Sequence, residues 1–295
     1  LGDYRTRTNY VVTSDGVYTG KTWRSKFAGR STAGMVFDGR YVWQLDEEYV
    51  VGHGNGIHAI DPTTGKEVAR IKDPDGVWDR VDQKGIAYDP KDDTFYVAGY
   101  NESRIYHIKG LSWDNPGEIL ENRWRFPVVI TGMAYHPEAE ILVVVCMGEP
   151  DMVYYLDPAT QEIVDEFPCP TGTYWGVGGC DLDADGNLWI ASLEDKMMYL
   201  METGLGPLDG WLSWNPRRGS VAPENEASIE VTVDARRMEP GFNEARMVLN
   251  TNDPEHPMVA IPVMVEVVRP PVITEVNAQP CAGESPLTVA FSAAF

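Results

Sequence analysis

The sequence has no apolar run of about 18 residues, the length that a membrane-spanning helix requires. It also has few basic residues: 24 Lys and Arg stand against 45 Asp and Glu, so the net charge is −21. Binding through phosphates needs a basic surface, and nucleic acid is therefore not an expected partner. The simplest explanation of the acidic composition is solubility. The more specific alternatives are divalent-cation binding or a salty extracellular setting.

The sequence also lacks the motifs of common catalytic sites. Its four cysteines form no CxxC pair or zinc spacing, and its five histidines form no HExxH pattern. No P-loop, dinucleotide fingerprint or nucleophile elbow is present. Cys169 and Cys180 are close enough in sequence for a disulfide, whereas buried free thiols are the ordinary alternative. These absences favour a protein without catalysis, and they predict no cofactor.

A glycine-led segment recurs four times in the first two thirds of the chain. The leading residues, Gly34, Gly85, Gly132 and Gly179, are 51, 47 and 47 residues apart. Periods in the forties are typical of propeller blades. Short β-rich runs follow each glycine and are separated by Asp, Pro and Gly turns, which predicts up to four antiparallel strands per repeat. Residues 10–19 are a further candidate, for strands of a fifth or terminal blade.

The predicted chain is therefore all-β and has three parts. Residues 1–207 are predicted to form a β-propeller, with blades that start near 34, 85, 132 and 179. Residues 208–269 carry strands spaced as in a small Ig-like β-sandwich. Residues 270–295 carry only two predicted strands, too few for a stable sandwich. We therefore expect the natural protein to be longer and to have flanking domains.

The repeats resemble those of the NHL and YVTN-type propeller families, whose blades open with Gly, a hydrophobic residue, Ala, a hydrophobic residue, Asp and Pro. Residues 211–268, with the stretch Asn250-Thr-Asn-Asp-Pro, resemble the BACON and Hydin-like Ig domains of bacterial surface proteins. They depart from that pattern at Phe242-Asn243, where Tyr-Thr is usual. Residues 278–292 resemble the first two strands of a PKD domain.

These resemblances imply an extracellular or cell-surface protein of a bacterium or archaeon. The leading predicted function is binding and adhesion without catalysis: the propeller face binds a protein or a glycan, and the Ig-like modules are spacers. One alternative is an accessory C-terminal region of a secreted hydrolase, such as a subtilisin-like peptidase, whose catalytic domain lies outside this chain. Another is a propeller lyase resembling the virginiamycin-B lyase family, which would need a histidine at the central channel.

Two segments are candidates for the ligand-binding face of the propeller. The stretch Gly52-His-Gly-Asn-Gly-Ile-His contains His53, Asn55 and His58, and residues 171–175 end in Tyr174 and Trp175. Both combine the backbone freedom of glycine with ring-bearing side chains, which suits a binding surface. The position of His58 on a predicted third strand also allows a packing role.

One segment is a candidate calcium loop. Asp181, Asp183 and Asp185 alternate and are followed by a glycine, as at the start of such loops. Ser192 stands at the position where a calcium loop has its glutamate. The sequence Asp185-Gly-Asn is also a favoured hairpin turn, and the other repeats turn at the same place. We expect calcium to bind weakly or not at all.

Overall fold

The computed structural model describes the chain apart from residues 4, 14, 28–31, 47–55, 79–82, 101–103, 121–123, 127, 171–176, 209–210, 216–218, 223–224, 236–237, 239, 252, 254–257, 269–274, 280–289 and 295. The described residues form antiparallel β-sheets and contain no helix long and apolar enough to span a membrane. The predicted all-β class is therefore confirmed. The chain divides into two compact units, Leu1–Gly210 and Trp211–Phe295.

The described residues of the first unit form five antiparallel sheets, each of which follows the order of the chain. Residues 10–19 contribute to the first of them, which precedes the four glycine-led repeats. The first sheet consists of β1 (Gly2–Asp3), β2 (Thr8–Val12) and β3 (Tyr18–Arg24); the second of β4 (Thr32–Phe37), β5 (Val42–Asp46), β6 (Gly56–Ile60) and β7 (Glu67–Lys72); the third of β8 (Gln83–Asp89), β9 (Thr94–Gly99), β10 (Arg104–Lys109) and β11 (Trp124–Arg125); the fourth of β12 (Val129–His136), β13 (Ile141–Met147), β14 (Met152–Asp157) and β15 (Glu162–Pro168); and the fifth of β16 (Val177–Leu182), β17 (Leu188–Ser192) and β18 (Met198–Met201).

The glycine-led segments are the first strands of sheets two to five, and these strands pack against one another. β4 contacts β8, β8 contacts β12, β12 contacts β16, and β16 returns to contact β4. A Cβ on Gly34 would lie 2.4 Å from the carbonyl oxygen of Lys84, and one on Gly132 would lie 2.6 Å from the amide nitrogen of Cys180. At these two positions the close approach of the neighbouring backbone leaves no room for a side chain.

The same glycines mark irregularities in strand pairing. The register between the first and second strands shifts within 32–35, 83–85, 130–132 and 177–180, at or beside the leading glycine of each repeat. Such bulges bend a strand and increase its twist. The repeated glycine therefore coincides with both a bend in the first strand and its contact with the next sheet.

The apolar core lies between successive sheets. Trp43 of the second sheet meets Phe95 of the third with ring centroids 5.0 Å apart, and Tyr96 meets Tyr135 of the fourth at 5.6 Å. A further apolar cluster joins the fourth and fifth sheets around Tyr155. Each large apolar side chain buried in this way contributes about 1.5–3 kcal/mol to stability. The sheets are thus held together face to face by apolar packing.

The second unit contains three antiparallel strand pairs. They are β19 (Leu212–Asn215) with β20 (Glu230–Val233), β21 (Gly241–Asn250) with β22 (Met258–Val267), and β23 (Glu275–Gln279) with β24 (Ala290–Ala294). The strands predicted at 228–233, 244–250 and 259–268 are all present. The longest pair, β21 with β22, runs from Gly241 opposite Val267 to Asn250 opposite Met258 without a register shift.

Candidate functional site

The sheets of the first unit have two unlike edges, defined by the direction of their first strands. The edge where β4, β8, β12 and β16 end is called the turn edge, because short turns tied by aspartates lie there. Asp38 accepts hydrogen bonds from the amides of Arg40 and Tyr41 and from the Trp43 indole at 2.6 Å. Asp61 accepts from Thr63 N at 2.7 Å. A carboxylate that accepts several amide bonds stabilises such a turn.

The candidate calcium loop lies at this turn edge. One carboxylate oxygen of Asp183 accepts from the amides of Asp185 at 3.1 Å and Asn187 at 2.9 Å, and the other accepts from the Trp189 indole at 3.1 Å. Asp181 lies on β16 opposite Trp189, and burial raises its pKa to about 7. No cluster of three or more metal-ligating side chains occurs among the described residues. The geometry is that of a hairpin turn, and the expectation that calcium binds weakly or not at all stays a prediction.

The opposite edge, where β4, β8, β12 and β16 begin, is called the loop edge. Because neighbouring strands are antiparallel, the end of β5 and the start of β6 lie there, and so does the end of β15. His53 and Asn55 belong to the connection between β5 and β6, and Tyr174 and Trp175 to the connection between β15 and β16. All four residues lie outside the described part of the chain. The described strand ends that flank the two connections, at Asp46, Gly56, Pro168 and Val177, lie at this edge. The binding role of His53, Asn55, Tyr174 and Trp175 stays a prediction.

The fifth ligand candidate, His58, lies within β6 rather than in the Gly-rich loop. It is 1% exposed, its Nδ1 is 2.8 Å from Glu67 Oε1, and its ring stacks on Phe27 at 3.8 Å between centroids. Burial lowers the pKa of His58, and the hydrogen bond to Glu67 opposes this shift. In this environment the imidazole is neutral near pH 7 and packs inside the sheet, which is the alternative role that its strand position had suggested.

The described part of the loop edge contains groups that sequence reasoning did not single out. Asp151 is buried and accepts hydrogen bonds from the amides of Gly148 at 2.9 Å and Val177 at 3.0 Å. It thereby ties the connection between β13 and β14 to the start of the fifth sheet. In the sequence, Asp151 follows Glu149-Pro150 and looks like an ordinary turn residue. Its role is shown by the hydrogen bond from the amide of Val177, which belongs to another sheet.

A cation and an aromatic ring also lie together at the loop edge. Lys84 Nζ lies 5.8 Å from the ring centroid of Tyr100, at the limit of a cation–π contact. The Tyr100 hydroxyl lies 3.8 Å from Met147 Sδ, which brings the third and fourth sheets together. Lys84 and Tyr100 lie at the same end of the paired strands β8 and β9, with Gln83 opposite Gly99, whereas Met147 belongs to the next sheet, so its contact with Tyr100 could not be read from one repeat. They provide charge, a ring and a polarisable sulfur on one surface.

The described cysteines carry no disulfide. Cys146, Cys169 and Cys180 are free thiols, and burial raises the pKa values of Cys146 and Cys180 well above the ordinary thiol value. Buried thiols of high pKa are poor nucleophiles and poor metal ligands, because the thiolate is the reactive form. Of the two alternatives left by the sequence, the structure contains the buried thiols.

Comparison with known proteins shows distant likenesses to solved structures. No family model matches the chain, and no curated protein matches it. A protein of unknown function from Bacteroides caccae is similar in structure, with a TM-score of 0.44, 17% identity, and coverage of 63% of this chain and 64% of that one. The glutaminyl cyclase of Myxococcus xanthus has a TM-score of 0.41, 16% identity, and coverage of 55% and 62%. The chain thus spans less than two thirds of either protein.

Proposed function

We propose that the first unit is a five-sheet β-propeller and that it binds a protein or a glycan at its loop edge, without catalysis. The observation that carries this proposal is the cyclic sequence of contacts among the first strands of sheets two to five. A series of sheets whose last member returns to contact an earlier one is expected of a radial arrangement, whereas a stacked solenoid would leave its end strands apart.

The first sheet fits the same arrangement. β1 contacts β4, and so the first strand of this sheet lies beside the first strand of the second. Asn9 of β2 donates hydrogen bonds to Ser25 at 2.8 Å and to Gln44 at 3.2 Å, in a buried polar cluster that joins the two sheets. We infer that the first sheet is the fifth blade. The order of blades then follows the order of the chain.

The unlike edges support placing the ligand at the loop edge. The turn edge consists largely of short turns whose backbone donors are already taken by Asp38, Asp61, Asp157 and Asp183. The loop edge has the connections 47–55, 73–82 and 169–176, although the turn edge also has one long connection, 110–123. The described part of the loop edge includes Lys84 and Tyr100. Binding residues concentrate on loops that a rigid scaffold positions. Glycans and peptides are both recognised by exposed rings and polar groups on such surfaces.

The three described histidines, His58, His107 and His136, are held within the protein, whereas His53 and His256 lie outside the described residues. His107 stacks on Tyr96 at 4.3 Å between centroids, and burial lowers its pKa to about 4. His136 is buried, accepts from Ala139 N at 3.0 Å and lies 2.7 Å from the carbonyl oxygen of Gly206. His58 packs within β6. These three side chains are engaged in packing and hydrogen bonding, which leaves no imidazole among them at the mouth of a channel.

For the second unit we propose an Ig-like spacer role in a secreted or cell-surface protein with further domains. The support is its run of strand pairs and its likeness in sequence to the modules named above. The acidic composition suits an extracellular setting, in which a strongly charged surface keeps the protein soluble.

Glycan and peptide arrays test the binding proposal on the full chain. We expect the arrays to identify a specific ligand. Its affinity should fall at least about tenfold in Trp175→Ala, because this change removes roughly one buried aromatic contact. Trp113→Ala is the matched control, because Trp113 is an exposed ring at the turn edge. Binding that survives Trp175→Ala together with His53→Ala but fails with Trp113→Ala would move the site to the other edge. Turnover of any arrayed compound would contradict the absence of catalysis.

A further inference from the structure

The fifth sheet ends one strand earlier than the three sheets before it. Sheets two, three and four each contain four strands, whereas the fifth consists of β16, β17 and β18. Within the described part of the chain, β18 pairs only with β17. Among the described residues, its other side is an open edge, whose backbone donors and acceptors can template the pairing of another strand.

The pairing register identifies what this edge corresponds to in the other sheets. Trp189 of β17 lies opposite Asp181 of the first strand and opposite Leu200 of β18. In the second sheet the same position is held by Trp43, which lies opposite Val36 and Ala59. Leu200 therefore corresponds to Ala59 of β6. In the fourth sheet, Ala134 of β12 lies opposite Val143 of β13, and Val143 lies opposite Tyr155 of β14. Tyr155 therefore also corresponds to Leu200.

The exposure of these equivalent residues differs sharply. Leu200 is 53% exposed, whereas Ala59 is 0% and Tyr155 is 6% exposed. Met198, the next residue of β18 on the same face as Leu200, shows the same contrast in exposure. Met198 is half-buried, whereas its equivalents in sheets two, three and four, Ile57, Ile105 and Val153, are fully buried. Ile57 and Val153 pair with a fourth strand, opposite Ile71 and Phe167 respectively. β18 is thus an apolar third strand that lacks the neighbour its equivalents have.

We propose that β18 (Met198–Met201) accepts an extended segment of a partner protein as a fourth, antiparallel strand. This is a binding surface separate from the loop edge, and it does not depend on the ligand proposed there. The geometry of the partner follows from the equivalent sheets, in which β7 and β15 occupy this place as antiparallel strands. Backbone hydrogen bonds hold such an added strand, and apolar side chains at alternate positions give it specificity.

Charge narrows the class of partner further. Glu194 and Glu202 flank β18 and are exposed, with only Lys196 between them to offset their charge. Asp195 adds a carboxylate next to Glu194, and the Tyr199 hydroxyl donates to it. A strand with Lys or Arg near both ends complements this pattern. A second copy of the chain does not, because each copy carries a net charge of −21 and the two would repel one another.

Hydrogen–deuterium exchange on the full chain tests the proposal directly. The probe is a synthetic peptide of about seven residues with Val or Ile at alternate positions and Lys at both ends, a typical strand length. At saturating peptide we expect the amides of β18 to exchange at least about tenfold more slowly, because outward-directed amides become hydrogen-bonded. Leu200→Glu should weaken peptide binding at least about tenfold, by replacing an apolar contact with a charge.

Ile163→Glu is the matched control. Ile163 is a similarly exposed apolar residue, and it lies on β15, the outer strand of a sheet that already has four strands. Peptide binding should be unchanged in this variant. A peptide with proline at alternate positions should not protect β18, since proline cannot donate the ladder hydrogen bonds.

Three results would overturn the proposal. The first is the absence of β18 protection at millimolar peptide. The second is equal protection by the proline peptide or in the Leu200→Glu variant. The third is protection of β18 without peptide that rises with protein concentration and accompanies dimer formation in sedimentation. That last outcome would identify the occupant as a second copy of the chain.

Discussion

Replacing Gly132 by alanine should destabilise the first unit, although the change adds a single methyl group to a β-strand. The new Cβ would lie 2.6 Å from Cys180 N and 3.0 Å from Cys180 Sγ. The first of these atoms belongs to the backbone of the neighbouring sheet, so it cannot rotate away. The two first strands must separate, and the apolar contacts between the fourth and fifth sheets must loosen with them.

The expected magnitude follows from the size of the overlap. Ordinary contact would need roughly 3.4 Å, so the strands must move apart by several tenths of an ångström; overpacking of this kind costs about 1–3 kcal/mol. Gly34→Ala belongs to the same class, because its Cβ would lie 2.4 Å from Lys84 O. Gly85→Ala should cost less, since the nearest atom is Met133 Cγ at 2.9 Å, part of a flexible side chain.

Gly179 provides the matched control. It holds the same place in its repeat, but a Cβ added there would meet nothing within 4 Å. Alanine at this position should leave stability unchanged or raise it by about 0.4–1 kcal/mol, because it restricts the unfolded chain. The four variants therefore differ in packing while sharing the same chemical change and the same position in the motif.

Urea unfolding of the full chain, followed by tryptophan fluorescence and far-ultraviolet circular dichroism, measures these differences. We expect the free energy of unfolding to fall for Gly34→Ala and Gly132→Ala, to fall less for Gly85→Ala, and to stay level or rise for Gly179→Ala, at constant m-value. Equal losses for Gly132→Ala and Gly179→Ala would refute the reasoning. They would mean that the glycines serve the bulge rather than the contact between sheets.

Two further predictions concern pH and calcium. Because burial lowers the pKa of His107 from 6.5 to about 4, its contribution to stability is complete above about pH 6.5 and is lost as the pH falls towards 4. At pH 5 this loss amounts to about 2 kcal/mol. The variant His107→Phe keeps a ring against Tyr96 but cannot be protonated, so it should lower the difference in stability between pH 7 and pH 5 by that amount. An unchanged difference would contradict the assignment. Asp183→Ala should lower the free energy of unfolding by about 1–2 kcal/mol through loss of the turn, equally with calcium and with chelator. A micromolar calcium affinity in calorimetry that this variant abolishes would instead establish the ion site.

Much of the secondary structure could be predicted because turns and strand alternation are local properties. The predicted fourth strands at 67–71 and 162–167 correspond to β7 and β15 within one residue. The predicted third strand of the last repeat, 197–200, is displaced by one residue from β18, because alignment of repeats cannot detect a change in hairpin length. The first compact unit runs to Gly210, and the predicted propeller boundary at 207 stays a prediction. The residues up to Leu208 hydrogen-bond to the turn that follows β16, with Leu208 N donating to Ala184 O.

The candidate site also has features that the sequence could predict and features that it could not. The topology of the strands accounts for the shared edge of the two predicted loops, and this could be inferred from the meander alone. His58 was ambiguous, because a histidine at the boundary of loop and strand can face either way. Its ring stacks on Phe27, which lies in the connection between β3 and β4, and this contact is a packing role. Asp151 and the contact of Tyr100 with Met147 had no signal in the sequence, since in each case the partner lies in another sheet.

The sequence by itself determined the all-β class, the period of the repeat, the place of the leading glycines and the turns that carry aspartates. These features depend on residues close together in the chain, where backbone preference and side-chain capping act. Only the tertiary structure decided which sheets touch, which glycines are crowded, which histidines are buried and which strand lacks a neighbour. Those properties depend on contacts between different strands and sheets, such as Gly34 with Lys84 and Gly132 with Cys180, and no local pattern records them.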